Sequence, residues 1–160
     1  MKLIHKQIIA RESGEPYLIR YSLPRMFWGL VRFNLHHILL SDYDCMHDHP
    51  WSFISIILKG GYFERTPKHK KTFKAILKMK LNLPNIRGGR EEWISIQKKW
   101  YRPLSVLYRP AEWAHALELP PGKDCWTLVI MFKRRREWGF WSRAMGWIKW
   151  SDYKPTQKCE

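Results

Sequence analysis

Two histidines separated by one residue, His47 and His49, stand in the run Met46-His47-Asp48-His49-Pro50-Trp51-Ser52-Phe53. Side chains two apart on a strand share a face, so both imidazoles can reach one point inside a β-fold. A third histidine, His115, closes the later run Pro110-Ala111-Glu112-Trp113-Ala114-His115. Brought in from a distant strand, it would complete a facial set of nitrogen donors. Imidazole suits zinc, copper, iron and nickel. The expected chemistry is that of a mononuclear metal centre with ligands His47, His49 and His115. The bland alternative is an H-x-H that is ordinary polar loop chemistry.

The other chemistry-bearing residues read less sharply. Asp48 alternates away from the metal face and reads as a turn residue or a support for the ligands. His36 and His37 are adjacent, so they point to opposite faces of a strand and cannot both reach one metal. One of them could line a cavity. His5 and His69 carry no spacing signal. Arg32 and Arg109 are candidate clamps for a carboxylate or phosphate, and Tyr62 is a candidate donor. Trp51 and Trp113 flank the histidine runs and are candidate walls of a dry cavity. For each of these the competing reading is a purely structural role. Cys45 and Cys125 read as small buried hydrophobes, although Cys45 lies close to the histidines.

Positioning these groups calls for strands. Short apolar or alternating runs fall at 3–9, 17–23, 31–40, 51–58, 62–65, 92–99, 104–108, 114–119 and 125–132. Turn signals separate them, chiefly Lys59-Gly60-Gly61 and Pro120-Pro121-Gly122-Lys123. Many short strands at this spacing predict an all-β sandwich or barrel. Residues 24–30 read as a short helix. Residues 66–90 are strongly basic, with Lys68, Lys70, Lys71, Lys74, Lys78, Lys80, Arg87 and Arg90, and read as an insertion between strands. The segment from Lys133 through Trp138, Trp141, Trp147 and Trp150 is basic and aromatic. It reads as a tail packed across the barrel.

Composition sets the limits. A chain of 160 residues with 45% hydrophobic and 15% aromatic content is expected to form one domain with its own core. Net charge is +15. Such a field attracts anions: nucleic acid, acidic surfaces, or phosphorylated and carboxylated small molecules. The cysteines Cys45, Cys125 and Cys159 are odd in number and widely spaced, without a CxxC. That argues against a disulfide scaffold or a cysteine-rich zinc site, and fits a reducing cytoplasm. No signal-peptide pattern and no membrane-spanning run is present in the sequence.

The histidine runs resemble the two motifs of the cupin superfamily, G-x5-H-x-H-x3,4-E-x6-G and G-x5-P-x-G-x2-H-x3-N. His47 and His49 match the H-x-H, Gly60 or Gly61 the closing glycine, and Pro110 with His115 the second motif. The resemblance spans about residues 31–132. It implies a single cupin-like domain over 1–160, built as a double-stranded β-helix or jelly-roll barrel. Three positions depart from the pattern. The glutamate of the first motif falls on Phe53 or Ile54, the glycine of the second on Glu112, and its asparagine on Leu119. Glu64 or Glu112 could supply a carboxylate instead, though Glu64 reads more readily as a salt-bridge partner and Glu112 as solvent-facing. What the resemblance leaves is a three-histidine site, similar to that of cysteine dioxygenase-like cupins. The flanking residues are also similar to a group of small bacterial and phage cupin-like proteins.

The resemblance implies one divalent transition metal, iron foremost, with zinc, manganese and nickel compatible with the same ligands. It implies a mononuclear non-haem iron dioxygenase acting on a small anionic substrate. Two other classes compete. The basic insertion and the run Lys133-Arg134-Arg135-Arg136 could contact phosphates, with tryptophans stacking on bases, in a nucleic-acid-binding module. A metabolite-sensing cupin without catalysis is the other. Neither the substrate nor the oligomeric state is encoded in any motif.

Overall fold

The computed structural model describes residues 4–42, 45–68, 95–142 and 146–153. Alternation of buried and more exposed positions marks the central strands most clearly. β10 (Cys125–Met131) buries every second residue, and β5 (Phe53–Lys59) starts the same way. This is the pattern of a strand with one face toward a core. The strands β1 (His5–Ala10), β2 (Pro16–Ser22), β3 (Arg32–Ile38), β10, β5 and β8 (Val106–Arg109) form one antiparallel six-stranded sheet in the order β1-β2-β3-β10-β5-β8.

Opposing it are two three-stranded sheets. One has the order β12-β11-β4, from β4 (Met46–His47), β11 (Gly139–Ser142) and β12 (Gly146–Lys149). The other has the order β7-β6-β9, from β6 (Tyr62–Lys68), β7 (Ser95–Tyr101) and β9 (Ala116–Glu118). A bridge between His47 and His115 joins them. The architecture is an all-β jelly-roll. Among the described residues no helix is long and apolar enough to cross a membrane.

The inward face is graded along its length. At one end Leu18, Ile38, Ile57, Tyr62, Leu107, Leu119 and Cys125 form an apolar core. Further along the same inward-facing registers, β2 carries Arg20 and Ser22, and β3 carries His36, Asn34 and Arg32. β5 carries Ser55 and Phe53, and β10 carries Thr127, Val129 and Met131. The barrel is therefore sealed by hydrocarbon at one end, and toward the other it mixes polar groups with the apolar cluster of Phe53, Val129 and Met131. Gly60 closes the β5–β6 hairpin in the left-handed region, at φ 78°, where a Cβ would lie 2.2 Å from the Asp124 carbonyl oxygen. Only glycine fits there.

Three expectations need correction. Residues 24–30 form no helix; Met26 and Val31 bridge across a turn with positive φ at Phe27, Trp28 and Gly29. The aromatic tail is two strands that extend the sheet carrying β4. Cys45 is disulfide-bonded, whereas Cys125 is a free buried thiol. Of the basic segment expected at 66–90, only its first residues, at the end of β6, are described.

Candidate metal centre

The three histidines arrive by separate routes. His47 ends β4, and its backbone exchanges two hydrogen bonds with His115: His47 N donates to His115 O at 2.8 Å, and His115 N to His47 O at 3.0 Å. This pairing is the seam between the two small sheets, so it sets both side chains at one height. His49 is held where its backbone N donates to Ala111 O at 3.0 Å. The ring centroids are 5.0 Å apart for His47 and His49, and 5.1 Å for each pair with His115. One nitrogen from each of the three lies within 4.8 Å of the others.

Their protonation states suit ligation. Burial holds His47 below the ordinary histidine range, partly opposed by Asp42. Burial also holds His49 well below that range, reinforced by His47, His115, His36 and Arg20. Both are neutral at pH 7 and offer lone pairs. His115 is fixed by its other nitrogen: Nδ1 lies 2.7 Å from Glu64 Oε1. A neutral ring that donates there keeps the lone pair on Nε2, which faces His49 Nε2 at 2.9 Å. Proteins commonly orient metal-binding histidines through such a carboxylate. The donor set therefore fits a divalent transition-metal ion.

Glu64 is itself clamped. It is 2% exposed, accepts from Arg109 Nε at 2.9 Å, from Arg109 Nη2, and from Trp113 Nε1 at 3.2 Å. Burial would raise its pKa, but the bonds from His115 and Arg109 outweigh it and bring the carboxyl down to about 2. Arg109 is in turn bonded to Tyr101 and lies over the Trp113 ring, 4.7 Å from the centroid. Arg109, Glu64 and His115 thus form a buried chain ending at the histidine cluster.

The remaining residues singled out in the sequence are placed as follows. Phe53 sits beside the cluster, its ring 4.8 Å from that of His49. Trp51 packs on the apolar group Phe53, Val129 and Met131. Tyr62 lies in the apolar core, where burial raises its pKa. Glu112 faces solvent. Arg32 lies on the inward face of β3, with Nε buried and without a partner among the described residues. His36 and His37 do diverge. His37 stacks on Trp126 at 4.1 Å and pairs with Asp124, whereas His36 turns inward and accepts from Arg20 Nε at 3.1 Å.

Two further residues contribute: Arg20, which was not foreseen, and Asp48, which was expected as a support. Arg20 carries no motif, yet it faces the histidines. Asp48, fully buried, anchors the C-terminal strands to β4. It accepts from Gly139 N at 2.8 Å, Arg136 Nη1 at 2.8 Å, Trp147 Nε1 at 2.9 Å and Trp141 Nε1 at 3.3 Å. The H-x-H strand is thereby pinned from its outer side while its histidines point inward.

No family model matches the chain, and no curated protein matches it. Solved structures do. The fold is similar to that of a cupin-2 domain protein from Rhodospirillum rubrum, with TM-score 0.59 and 12% identity over 90% of this chain and 79% of that one. It is similar to a cupin 2 conserved barrel domain protein from Rhodopseudomonas palustris, with TM-score 0.56 and 10% identity over 88% and 79%. It is also similar to the Fe(II) form of HppE, with TM-score 0.54 and 10% identity over 81% of this chain; the match spans only 56% of that longer protein. At these identities the likeness establishes the fold and no activity. The chain folds as a cupin-type jelly-roll barrel with a cluster of three histidines on its inner wall.

Proposed function

We propose that the chain is a metal-dependent cupin, organised as one domain over residues 1–160, in which His47, His49 and His115 hold one divalent ion. Iron is the favoured ion, in the manner of the three-histidine, cysteine dioxygenase-like type. The activity proposed is that of a mononuclear non-haem oxygenase on a small anionic substrate. The observation that carries this reading is the buried chain Arg109–Glu64–His115, which leaves the His115 lone pair directed at His49. A carboxylate kept buried and charged at that position has a physical purpose if it fixes a ligand. It has none in an emptied barrel, where an apolar replacement would cost less.

When bound, the ion would supply Lewis acidity and, for iron, a one-electron centre for dioxygen. The chain's own residues do the rest. Glu64 holds the proton of His115 on Nδ1 and keeps that ring from turning. Phe53, Trp51 and Val129 exclude water from one side, which strengthens electrostatic attraction to a bound anion. No ligand carboxylate stands at position 53, so three neutral histidines leave the full charge of the ion uncompensated. An anionic substrate restores the balance.

The test is metal analysis of protein purified without added metal, followed by oxygen consumption with candidate carboxylates and phosphate esters. One ion per chain together with substrate-dependent oxygen uptake supports the reading. The nucleic-acid alternative draws on the exposed run Lys133, Arg134 and Arg135. It would be favoured by tight, salt-sensitive binding to DNA or RNA that His49→Ala leaves unchanged.

A further inference from the structure

Arg20 on β2 and His36 on β3 are directly opposed across the strand pair, and Arg20 Nε donates to His36 Nε2 at 3.1 Å. The two terminal nitrogens of the Arg20 guanidinium are left for another acceptor. Arg32 lies four residues from His36 on the same inward face of β3, with Nε buried and unpartnered. Among the described residues neither arginine enters an ion pair: the buried carboxylates Asp48 and Glu64 are committed to Arg136 and Arg109, and Asp42 to Tyr17 and the Leu117 amide. Arg20 nonetheless bears a desolvation cost. Arg20 is held below its usual pKa by burial and by Arg32, and it helps to depress His49. Both cations lie on the inward face of the barrel wall, the side toward which the histidine cluster points. Around them are small polar groups, Ser22 and Asn34, already bonded to each other at 2.6 Å.

Two partly buried guanidinium groups on one inner wall without a counter-charge are costly unless an anion completes them. Their joint charge and at least three free N–H directions match a tetrahedral dianion better than a single planar carboxylate. We propose that Arg20 and Arg32 form an oxyanion subsite inside the barrel, beside His47, His49 and His115, that takes the phosphate or equivalent doubly charged group of a small organic substrate. This deepens the reading of the barrel as an anion-binding metal site and rests on it for the position of the substrate. His36 is the positioning residue. By accepting from Nε it turns the terminal nitrogens of Arg20 toward the ligand.

The experiment is calorimetric titration of inorganic phosphate, with acetate as comparison, into chelator-stripped protein at fixed ionic strength. The proteins are the unsubstituted chain, Arg20→Gln, Arg32→Gln, Arg20→Lys, and Lys133→Gln as a surface control. Losing a charge-assisted hydrogen-bonding partner is expected to weaken phosphate by about 10- to 100-fold in each glutamine variant. Arg20→Lys should recover part of that loss, and Lys133→Gln should change little. Thermal melts of the same preparations, and their metal uptake on reconstitution, show whether the barrel and the histidine site remain intact. Phosphate binding that persists in His49→Ala while metal is lost separates this subsite from the metal reading. Absence of phosphate binding, equal binding of acetate, or wild-type affinity in both glutamine variants would overturn the proposal.

Discussion

Replacing Glu64 by glutamine tests the chain that orients His115. The carboxylate is 2% exposed, and its Arg109 partner is 8% exposed, so the pair is shielded from screening. The amide keeps one acceptor oxygen but turns two N–H donors toward groups that are themselves donors. Breaking a buried ion pair from one side costs about 3–5 kcal/mol, and the retained oxygen places this case near the lower figure. For a chain of this size that is a fall in Tm of roughly 6–12 °C. Metal affinity should fall about 10- to 100-fold, the usual effect of removing the partner of a ligating histidine.

The two losses separate in Glu64→Leu/Arg109→Met. Removing both charges should recover most of the stability, whereas His115 Nδ1 still lacks its acceptor and affinity stays low. Thermal melts of metal-free protein and competition against a chromophoric chelator read the two quantities. Wild-type metal affinity in Glu64→Gln would refute the role given to Glu64, whatever happens to the Tm.

Three further outcomes follow from the same geometry. His36 is depressed to about 3 by burial and then by Arg20. Its unfolded form takes up protons first as pH falls below about 6.5, so it costs stability below that value and none above. His36→Gln should therefore gain about 2 kcal/mol relative to the wild type on going from pH 7 to pH 5, read by urea denaturation; parallel pH profiles would contradict the burial. Asp48→Asn should weaken the attachment of β11 and β12 by about 2–3 kcal/mol, seen as earlier proteolysis near residue 139 and a change in tryptophan emission. Phe53→Glu places a carboxylate beside His49 and should change the preference between iron and manganese; identical titrations would show that position 53 does not border the ion.

The fold was largely legible because its main strands are short apolar or alternating runs set between turn residues. The runs that became β2, β3, β5 and β10 stood out by alternation or by continuous apolar content and by the turn residues between them, within a few positions of the observed ends. β4 did not, since a two-residue strand has no period to detect. The turn at Phe27–Gly29 read as helix because its left-handed backbone leaves no mark in side-chain type. β11 and β12 escaped notice because what holds them is Asp48, whose partners lie about ninety residues away. The histidines were visible through spacing, and Asp48 as a support and Glu64 as a salt-bridge partner were read as well, but the partners of these carboxylates were not. Glu64 meets Arg109 and His115 across 45 and 51 residues. Arg20 shows itself only once β2 and β3 pair. Spacing along a strand is written in the chain, whereas contacts between strands depend on register.

The most direct test of the account is the metal content of protein purified without added metal, compared between the wild type and His49→Ala by elemental analysis. The account predicts about one transition-metal ion per wild-type chain. It predicts almost none in His49→Ala, with the metal-free barrel still melting cooperatively. A wild-type chain that carries no metal and takes none up on titration, or a His49→Ala variant with an undiminished content, would contradict it.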